Sequence, residues 1–132
     1  MGRDADTRKG AAGGAEPWPT DITLDPSKRW LTVAYDDGAV FRIAAELLRV
    51  ESPSAEVQGH GGAQKTIVPG KRQVTIRGVE PVGNYAVRIL FDDGHDTGLY
   101  SWRYLHRLGR EHNRIWADYE QALASRGLSR DG

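Results

Sequence analysis

Two Asp-Asp-Gly tripeptides, at 36–38 and 92–94, constrain the fold of this chain more than any other feature. Each lies between stretches in which apolar and polar residues alternate, the pattern of half-buried β-strands. Because Asp-Gly tolerates the positive backbone angles of a tight turn, each tripeptide predicts a hairpin. The order strand, turn, strand, helix then occurs twice, at 30–48 and 85–108. We predict an α+β fold of small antiparallel β-sheets, with a short helix and C-terminal helices packed on them.

The other predicted elements follow from local signals. Further strands are expected at 22–24 and 73–83. A helix is predicted to begin after Ser101, because a serine oxygen can accept hydrogen bonds from the N–H groups of a first helical turn. We expect a break at Gly109, since glycine suits the left-handed conformation that often ends a helix. The helix beyond it has one apolar face, formed by Ile115, Tyr119 and Leu123.

The length of 132 residues fits one domain with a single core. Residues 1–16 are small, charged and glycine-rich, and predict a disordered tail. The domain is expected at 17–126, and 127–132 to be a frayed tail. Between the two hairpins, 49–72 is rich in glycine and proline, and a loop of this length is usually functional or mobile. Function is therefore sought first in this segment.

Composition excludes several classes of function. Lysine plus arginine equals aspartate plus glutamate, at 18 each, so no uncancelled basic charge predicts nucleic-acid binding. The absence of cysteine excludes disulfides, thiolate metal sites and cysteine nucleophiles. No apolar run predicts a membrane span or a signal peptide, so a cytoplasmic location is expected. Neither a phosphate-binding glycine motif nor a Gly-x-Ser-x-Gly motif is present, so no reaction is indicated.

Four histidines are the candidates for chemistry. His106 and His112 lie on predicted helices, where a histidine is usually an edge-of-core residue. His60 lies in a Gly-His-Gly-Gly loop, which could bring an imidazole to a metal or an anion or could simply be flexible. His95 follows the second Asp-Asp-Gly turn directly. His60 and His95 are therefore the two residues from which a site could be built.

Two segments resemble a known family. They are LLRVESPSAEVQGHG at 47–61, and Asp-Gly-His followed by Tyr-Ser-Trp at 93–102. Both resemble the N-terminal domain of gamma-butyrobetaine hydroxylase and its stand-alone bacterial relatives, over a match from about Trp18 to Tyr119. The resemblance implies a small α+β domain of antiparallel strands with helices packed on them.

For the hydroxylases, the resemblance implies a structural zinc with four ligands. Three are the cysteines of a Cys-x-Cys-x-x-Cys run that follows a Leu-Arg pair, and the fourth is the histidine of an Asp-Gly-His turn. Aligning the Leu-Arg pair at 48–49 puts Ser52, Ser54 and Val57 at the three cysteine positions. His95 falls on the zinc histidine. Thiolates supply most of the binding strength of such a site, so we expect that zinc site to be lost.

A cysteine-free metal site stays open as an alternative. Two imidazoles and a carboxylate suit iron or zinc if the loop folds over the hairpin. The candidate ligands are His95, His60, Glu56 and Asp96. A small hydrolase that uses His95 and a carboxylate is a third alternative.

The resemblance also bears on partners. The oxygenase domain of the hydroxylases is a separate C-terminal domain that this chain lacks, so we expect no enzyme and no catalytic residues. Stand-alone relatives are similar to a domain fused behind ATPases that carry iron–sulfur clusters. The leading expectation is therefore a non-enzymatic interaction module with a protein partner in iron–sulfur or metalloprotein assembly. Its predicted interaction patch consists of Ser52, Ser54, Gln58 and Trp102.

Overall fold

The computed structural model describes residues 16–59 and 65–132. Most of the predicted tail 1–16 lies outside this part of the chain. Six strands and four helices are described, and the fold is α+β, as predicted. In chain order they are β1 (Pro19–Leu24), β2 (Trp30–Tyr35), β3 (Val40–Ala44), α1 (Ala45–Val50), α2 (Ala55–Gln58), β4 (Ile76–Val82), β5 (Ala86–Phe91), β6 (Leu99–Ser101), α3 (Trp102–Arg110) and α4 (His112–Ser125).

The strands form two antiparallel sheets of the same topology, with strand orders β1-β2-β3 and β4-β5-β6. Alternate residues of each central strand are buried, as the period-two pattern predicts. These side chains join those of α1, α3 and α4 in one hydrophobic core. Among the helices described at 16–59 and 65–132, none is both long enough and apolar enough to cross a membrane.

The two Asp-Asp-Gly turns are equivalent in their hydrogen bonds. The second aspartate of each turn accepts from the backbone N–H two residues later, Asp37 from Ala39 at 2.9 Å and Asp93 from His95 at 3.0 Å. The glycines have φ of +88° and +91°, the positive angles that the tripeptide predicts. Ala39 in the first hairpin is therefore the structural counterpart of His95 in the second.

The break between the C-terminal helices differs from its prediction. The Ser101 hydroxyl caps α3 by accepting from the Tyr104 N–H at 3.1 Å, as predicted. Gly109, however, lies inside α3, and the chain changes direction at Glu111, where φ is −104°. A Cβ at Gly109 would overlap the ring of Phe41. This glycine is thus explained by close packing against β3, not by the left-handed cap that we predicted.

The C-terminal residues 127–132, expected to fray, are instead bound to the domain. The backbone N–H groups of Gly70 and Arg72 donate to the carbonyls of Ser129 and Arg130, at 3.0 Å and 3.1 Å. The Arg130 guanidinium also makes two 2.8 Å hydrogen bonds to the buried Glu46 carboxylate. Backbone pairing and a charged pair together hold this segment, and neither is visible in its local composition.

Candidate functional site

His95 is held on the β5–β6 connection by its backbone. Its N–H donates to the Asp93 carboxylate at 3.0 Å, and its carbonyl accepts from the Phe91 N–H at 3.0 Å. The side chain is only 6% exposed. The hairpin turn therefore fixes the imidazole and directs it into the protein.

Inside the protein, the imidazole meets the two serines of the Ser-Pro-Ser segment. Nε2 of His95 lies 2.9 Å from Oγ of Ser52 and 3.4 Å from Oγ of Ser54. The two hydroxyl oxygens are 3.3 Å apart. Ser52 is completely buried and Ser54 nearly so. We call Ser52, Ser54 and His95 the Ser-Ser-His cluster.

The chain between α1 and α2 can approach His95 closely because it packs against Gly98, which has no side chain. A Cβ on Gly98 would overlap the Ser52 hydroxyl, and it would come within 3.1 Å of the Tyr100 ring and 3.2 Å of Pro53. Val57, on the following turn, is also buried and donates its backbone N–H to the Ser54 carbonyl at 3.1 Å. The serine positions that the resemblance aligned with cysteines thus do meet the aligned histidine.

The second ring nitrogen of the imidazole lies near a carboxylate. Nδ1 of His95 lies 3.6 Å from Oε1 of Glu56, which is too long for a hydrogen bond. Glu56 is largely exposed and accepts instead from the Thr97 hydroxyl at 2.5 Å. Ser52, His95 and Glu56 thus follow each other in the order of a nucleophile, a base and an acid. The Ser52 hydroxyl has no exposure to solvent, so no substrate can reach it in this conformation.

An ion-pair network supports the turn that carries His95. The Asp93 carboxylate lies 2.7 Å from Arg49 Nε and 2.6 Å from Lys71 Nζ. Partial burial alone would raise the pKa of Asp93, but hydrogen bonds from Lys71, the His95 N–H and Arg49 outweigh burial and lower this pKa to about 2. The network fastens the turn to α1 and to the segment before β4.

The environment favours the neutral form of the His95 imidazole. Burial lowers its pKa, and the nearby positive charge of Arg49 lowers it further. The carboxylates of Glu56, Asp93 and Asp96 act in the opposite direction without reversing the shift. A neutral imidazole has one donor and one acceptor nitrogen, so it can take part in hydrogen bonds with both the serines and its surroundings.

The predicted metal ligands are brought together only in part. His95 and Glu56 are neighbours, Asp96 adds negative potential at the imidazole, and His60 lies outside the described residues. Within 16–59 and 65–132, no group of three or more His, Cys, Asp or Glu side chains is placed to hold a metal ion. The Ser-Ser-His cluster therefore consists of one histidine and two neutral hydroxyl groups that are joined by hydrogen bonds.

The predicted interaction patch is divided between the interior and the surface. Ser52 and Ser54 are buried, and Gln58 donates to the Ser52 carbonyl at 2.9 Å. Ser52 and Ser54 therefore lie in the interior, and Gln58 supports the chain around the cluster. Gln58 and Trp102 are both half-buried, Trp102 at the start of α3.

Trp102 lies beside two exposed aromatic residues. Its ring meets the Trp18 ring edge-to-face, with centroids 6.3 Å apart. Its backbone N–H donates to the Tyr85 carbonyl at 3.3 Å, so the β4–β5 turn lies beside it. Trp18 is 50% exposed and Tyr85 56% exposed. We call Trp18, Tyr85 and Trp102 the aromatic surface; the prediction missed Trp18, although a tryptophan between two prolines before the first strand was a visible signal.

The fold and the cluster define a class of small α+β domains. In this class, the histidine after a hairpin turn contacts the segment that follows a Leu-Arg pair, as His95 contacts Ser52 here. Residues 22–106 match the family described as gamma-butyrobetaine hydroxylase-like, N-terminal, and the chain belongs to this family. The resemblance found in the sequence is thereby confirmed.

Solved structures share the fold. Two proteins with NMR solution structures are 46% and 43% identical to this chain, each with a TM-score of 0.76. The first match covers 87% of this chain and 90% of the other, and the second 92% and 90%. A crystal structure of a protein of unknown function from Acidithiobacillus ferrooxidans, of the DUF971 family, is 41% identical with a TM-score of 0.58, covering 69% of this chain and 91% of the other. No curated protein matches the chain.

Proposed function

We propose that the chain is a non-enzymatic interaction module of the cytoplasm, which binds a protein partner in iron–sulfur or other metalloprotein assembly. The observation that carries the proposal is the aromatic surface. Trp18 and Tyr85 each expose half or more of their area, although large aromatic side chains are usually buried. Exposed tryptophan and tyrosine are enriched at the centres of protein interfaces, where they supply much of the binding energy.

The rigidity of the aromatic surface supports this role. The Trp102 indole N–H donates to the Asn84 carbonyl at 2.8 Å, and the Trp102 carbonyl accepts from the Tyr35 hydroxyl at 2.9 Å. The ring is therefore fixed between the two sheets before any partner arrives. A pre-organised surface loses less side-chain entropy on binding.

The burial of Ser52 favours a non-catalytic role for the cluster. A serine nucleophile must be reached by its substrate and needs donors for the developing oxyanion. Ser52 is completely buried, and Gly98 packs against its hydroxyl. Its hydroxyl serves to hold the α1–α2 connection against the β5–β6 hairpin.

The choice of partner class comes from the family resemblance and is tested by affinity capture. The tagged full chain is used to capture proteins from cell extract, which are identified by mass spectrometry. We expect an iron–sulfur carrier or another metalloprotein to be enriched. The Trp18→Ser and Tyr85→Ser variants should lose it, because truncating an aromatic anchor at an interface typically costs about 2 kcal/mol or more.

Leu128→Ser is the matched control. Leu128 is also an exposed apolar residue, at 37%, but it lies on the C-terminal segment and not on the aromatic surface. This variant should capture the same partner as the unmodified chain. Recovery of no metalloprotein, or equal recovery by Trp18→Ser, would contradict the proposal.

A cysteine-free metal site is the second candidate function. It is favoured by one observation, the 3.6 Å approach of the Glu56 carboxylate to Nδ1 of His95. Metal analysis of the purified, untagged chain after incubation with iron or zinc tests it. A bound equivalent that disappears in His95→Ala would support this candidate, and a content below about a tenth of an equivalent, unchanged in His95→Ala, would remove it.

A further inference from the structure

A cleft of about 490 Å³ lies between the first sheet, the start of α4 and the C-terminal segment. Trp30 of β2 and Trp116 of α4 line it together with three arginines, Arg29, Arg72 and Arg130. Its volume is in the range of small-molecule sites in proteins. The cleft shares no residue with the Ser-Ser-His cluster or with the aromatic surface.

Two of the three arginines have carboxylate partners. Arg130 pairs with Glu46, which also lines the cleft, through two hydrogen bonds of 2.8 Å. Arg72 pairs with Asp131 at 2.5 Å and 3.1 Å. These charges are therefore compensated within the protein.

Arg29 differs from them because it bonds only neutral oxygens. Its guanidinium donates to the Gln73 side-chain oxygen at 3.0 Å and to the Arg72 carbonyl at 2.9 Å. In the described part of the chain, no carboxylate pairs with it. A guanidinium has five N–H donors in a planar fork, so further donors stay free for an oxyanion. Among the described residues, the cleft thus carries one positive charge without a carboxylate partner.

His112 also lines the cleft, at the first residue of α4. Its Nε2 atom is buried and has no hydrogen-bond partner among residues 16–59 and 65–132, so a ligand in the cleft does not reach this atom in this conformation. The donors available to a ligand are therefore those of Arg29.

We propose that this cleft binds a small organic anion, a carboxylate or a phosphate ester attached to an aromatic or apolar body. The Arg29 guanidinium binds the oxyanion. Trp30 and Trp116 contact its apolar body. The C-terminal segment pairs with the backbone of 70–72 at the edge of the cleft, and a cleft bounded in this way favours a small molecule over a macromolecule. The inference does not depend on the proposed function.

The chain carries its own reporters for a test by NMR. It has four tryptophans, of which Trp30 and Trp116 line the cleft while Trp18 and Trp102 belong to the aromatic surface. The probes are benzoate and phenyl phosphate, with benzyl alcohol as the neutral control, each titrated to about 20 mM. We expect saturable shifts of the Trp30 and Trp116 indole N–H signals with an anionic probe, and unmoved signals of the other two indoles.

Variants assign the binding to the named groups. Arg29→Gln and Arg29→Ala should each weaken the better probe about tenfold, the effect of losing one charge-assisted hydrogen bond. Arg77→Gln is the matched control, because Arg77 is an exposed arginine of β4 outside the cleft, and it should leave binding unchanged. If one of the two cleft variants does not fold, the other decides.

The comparison of probes also identifies the ligand class. Tighter binding of benzoate assigns a carboxylate, and tighter binding of phenyl phosphate a phosphate ester. The proposal is overturned if neither anion gives saturable shifts, if benzyl alcohol shifts the same indole signals equally, or if the folded cleft variants bind as the unmodified chain does.

Discussion

Nε2 of His95 lies 2.9 Å from the hydroxyl of Ser52, a residue more than forty positions earlier in the chain. The contact joins the hairpin after β5 to the segment after α1. In the family resemblance, these two positions carry two ligands of one structural zinc. In this chain the two residues share a hydrogen bond.

Restoring thiolates should therefore restore a metal site. We expect the triple variant Ser52→Cys, Ser54→Cys, Val57→Cys to bind about one equivalent of zinc, because three thiolates and the existing imidazole complete a tetrahedral set. Zinc content of the purified protein measures this. Adding His95→Ala should weaken binding strongly, and a triple variant that is folded but retains no zinc would show that the backbone no longer has the required geometry.

The lowered pKa of His95 predicts a pH-dependent stability. The folded protein binds a proton at His95 less readily than the unfolded chain does, in which the pKa of histidine is near 6.5. The stability of the folded protein is therefore highest above this pH and falls as the pH decreases below it. Urea unfolding between pH 8 and about pH 5 measures the change. We expect His95→Gln, which cannot be protonated, to flatten the pH dependence in this window, whereas identical slopes for both proteins would contradict the prediction.

The close approach at Gly98 predicts a large effect of one methyl group. Gly98→Ala should destabilise the fold by about 1–3 kcal/mol, because the new Cβ overlaps the Ser52 hydroxyl and presses on Pro53. Gly78→Ala is the control, since a Cβ there meets no atom within 4 Å. Chemical denaturation compares the two, and Ser52→Ala added to Gly98→Ala should recover part of the loss. Equal stability of the two alanine variants would refute the steric account.

The pair of Glu46 and Arg130 predicts that the C-terminal segment contributes to stability. Arg130→Gln leaves the carboxylate of Glu46, whose side chain is 7% exposed, without its partner, at a cost of about 2 kcal/mol. The double variant with Glu46→Gln should be more stable than Arg130→Gln alone. Arg72→Gln is a useful comparison, because its partner Asp131 is 66% exposed, and we expect a smaller loss.

Local chemistry explains what the sequence could predict. The hairpins follow from Asp-Asp-Gly and alternation, and the start of α3 follows from a serine that caps its own first turn. Gly109 was misinterpreted because its reason is the ring of Phe41, which is distant in sequence. The cleft was missed for the same kind of reason: its lining residues, such as Arg29 and Trp116, are distant in sequence and meet only in the folded chain.

For the candidate site, the sequence predicted which residues come together better than it predicted their exposure. The resemblance brought Ser52 and Ser54 to His95, and the structure shows this contact. An alignment carries no information on exposure, so the burial of both serines could not be predicted. Trp18 precedes β1 and Tyr85 lies in the β4–β5 turn, so only the folded chain brings them near Trp102.

The equivalence of the two hairpins has a practical consequence. Ala39 and His95 occupy the same place in one main-chain frame, which the protein builds twice with different side chains. Such a frame can present different side chains from one backbone conformation. A residue substituted at position 39 would leave the backbone in the direction in which His95 does, and the orientation of the His95 ring comes in addition from its contacts with Ser52 and Ser54.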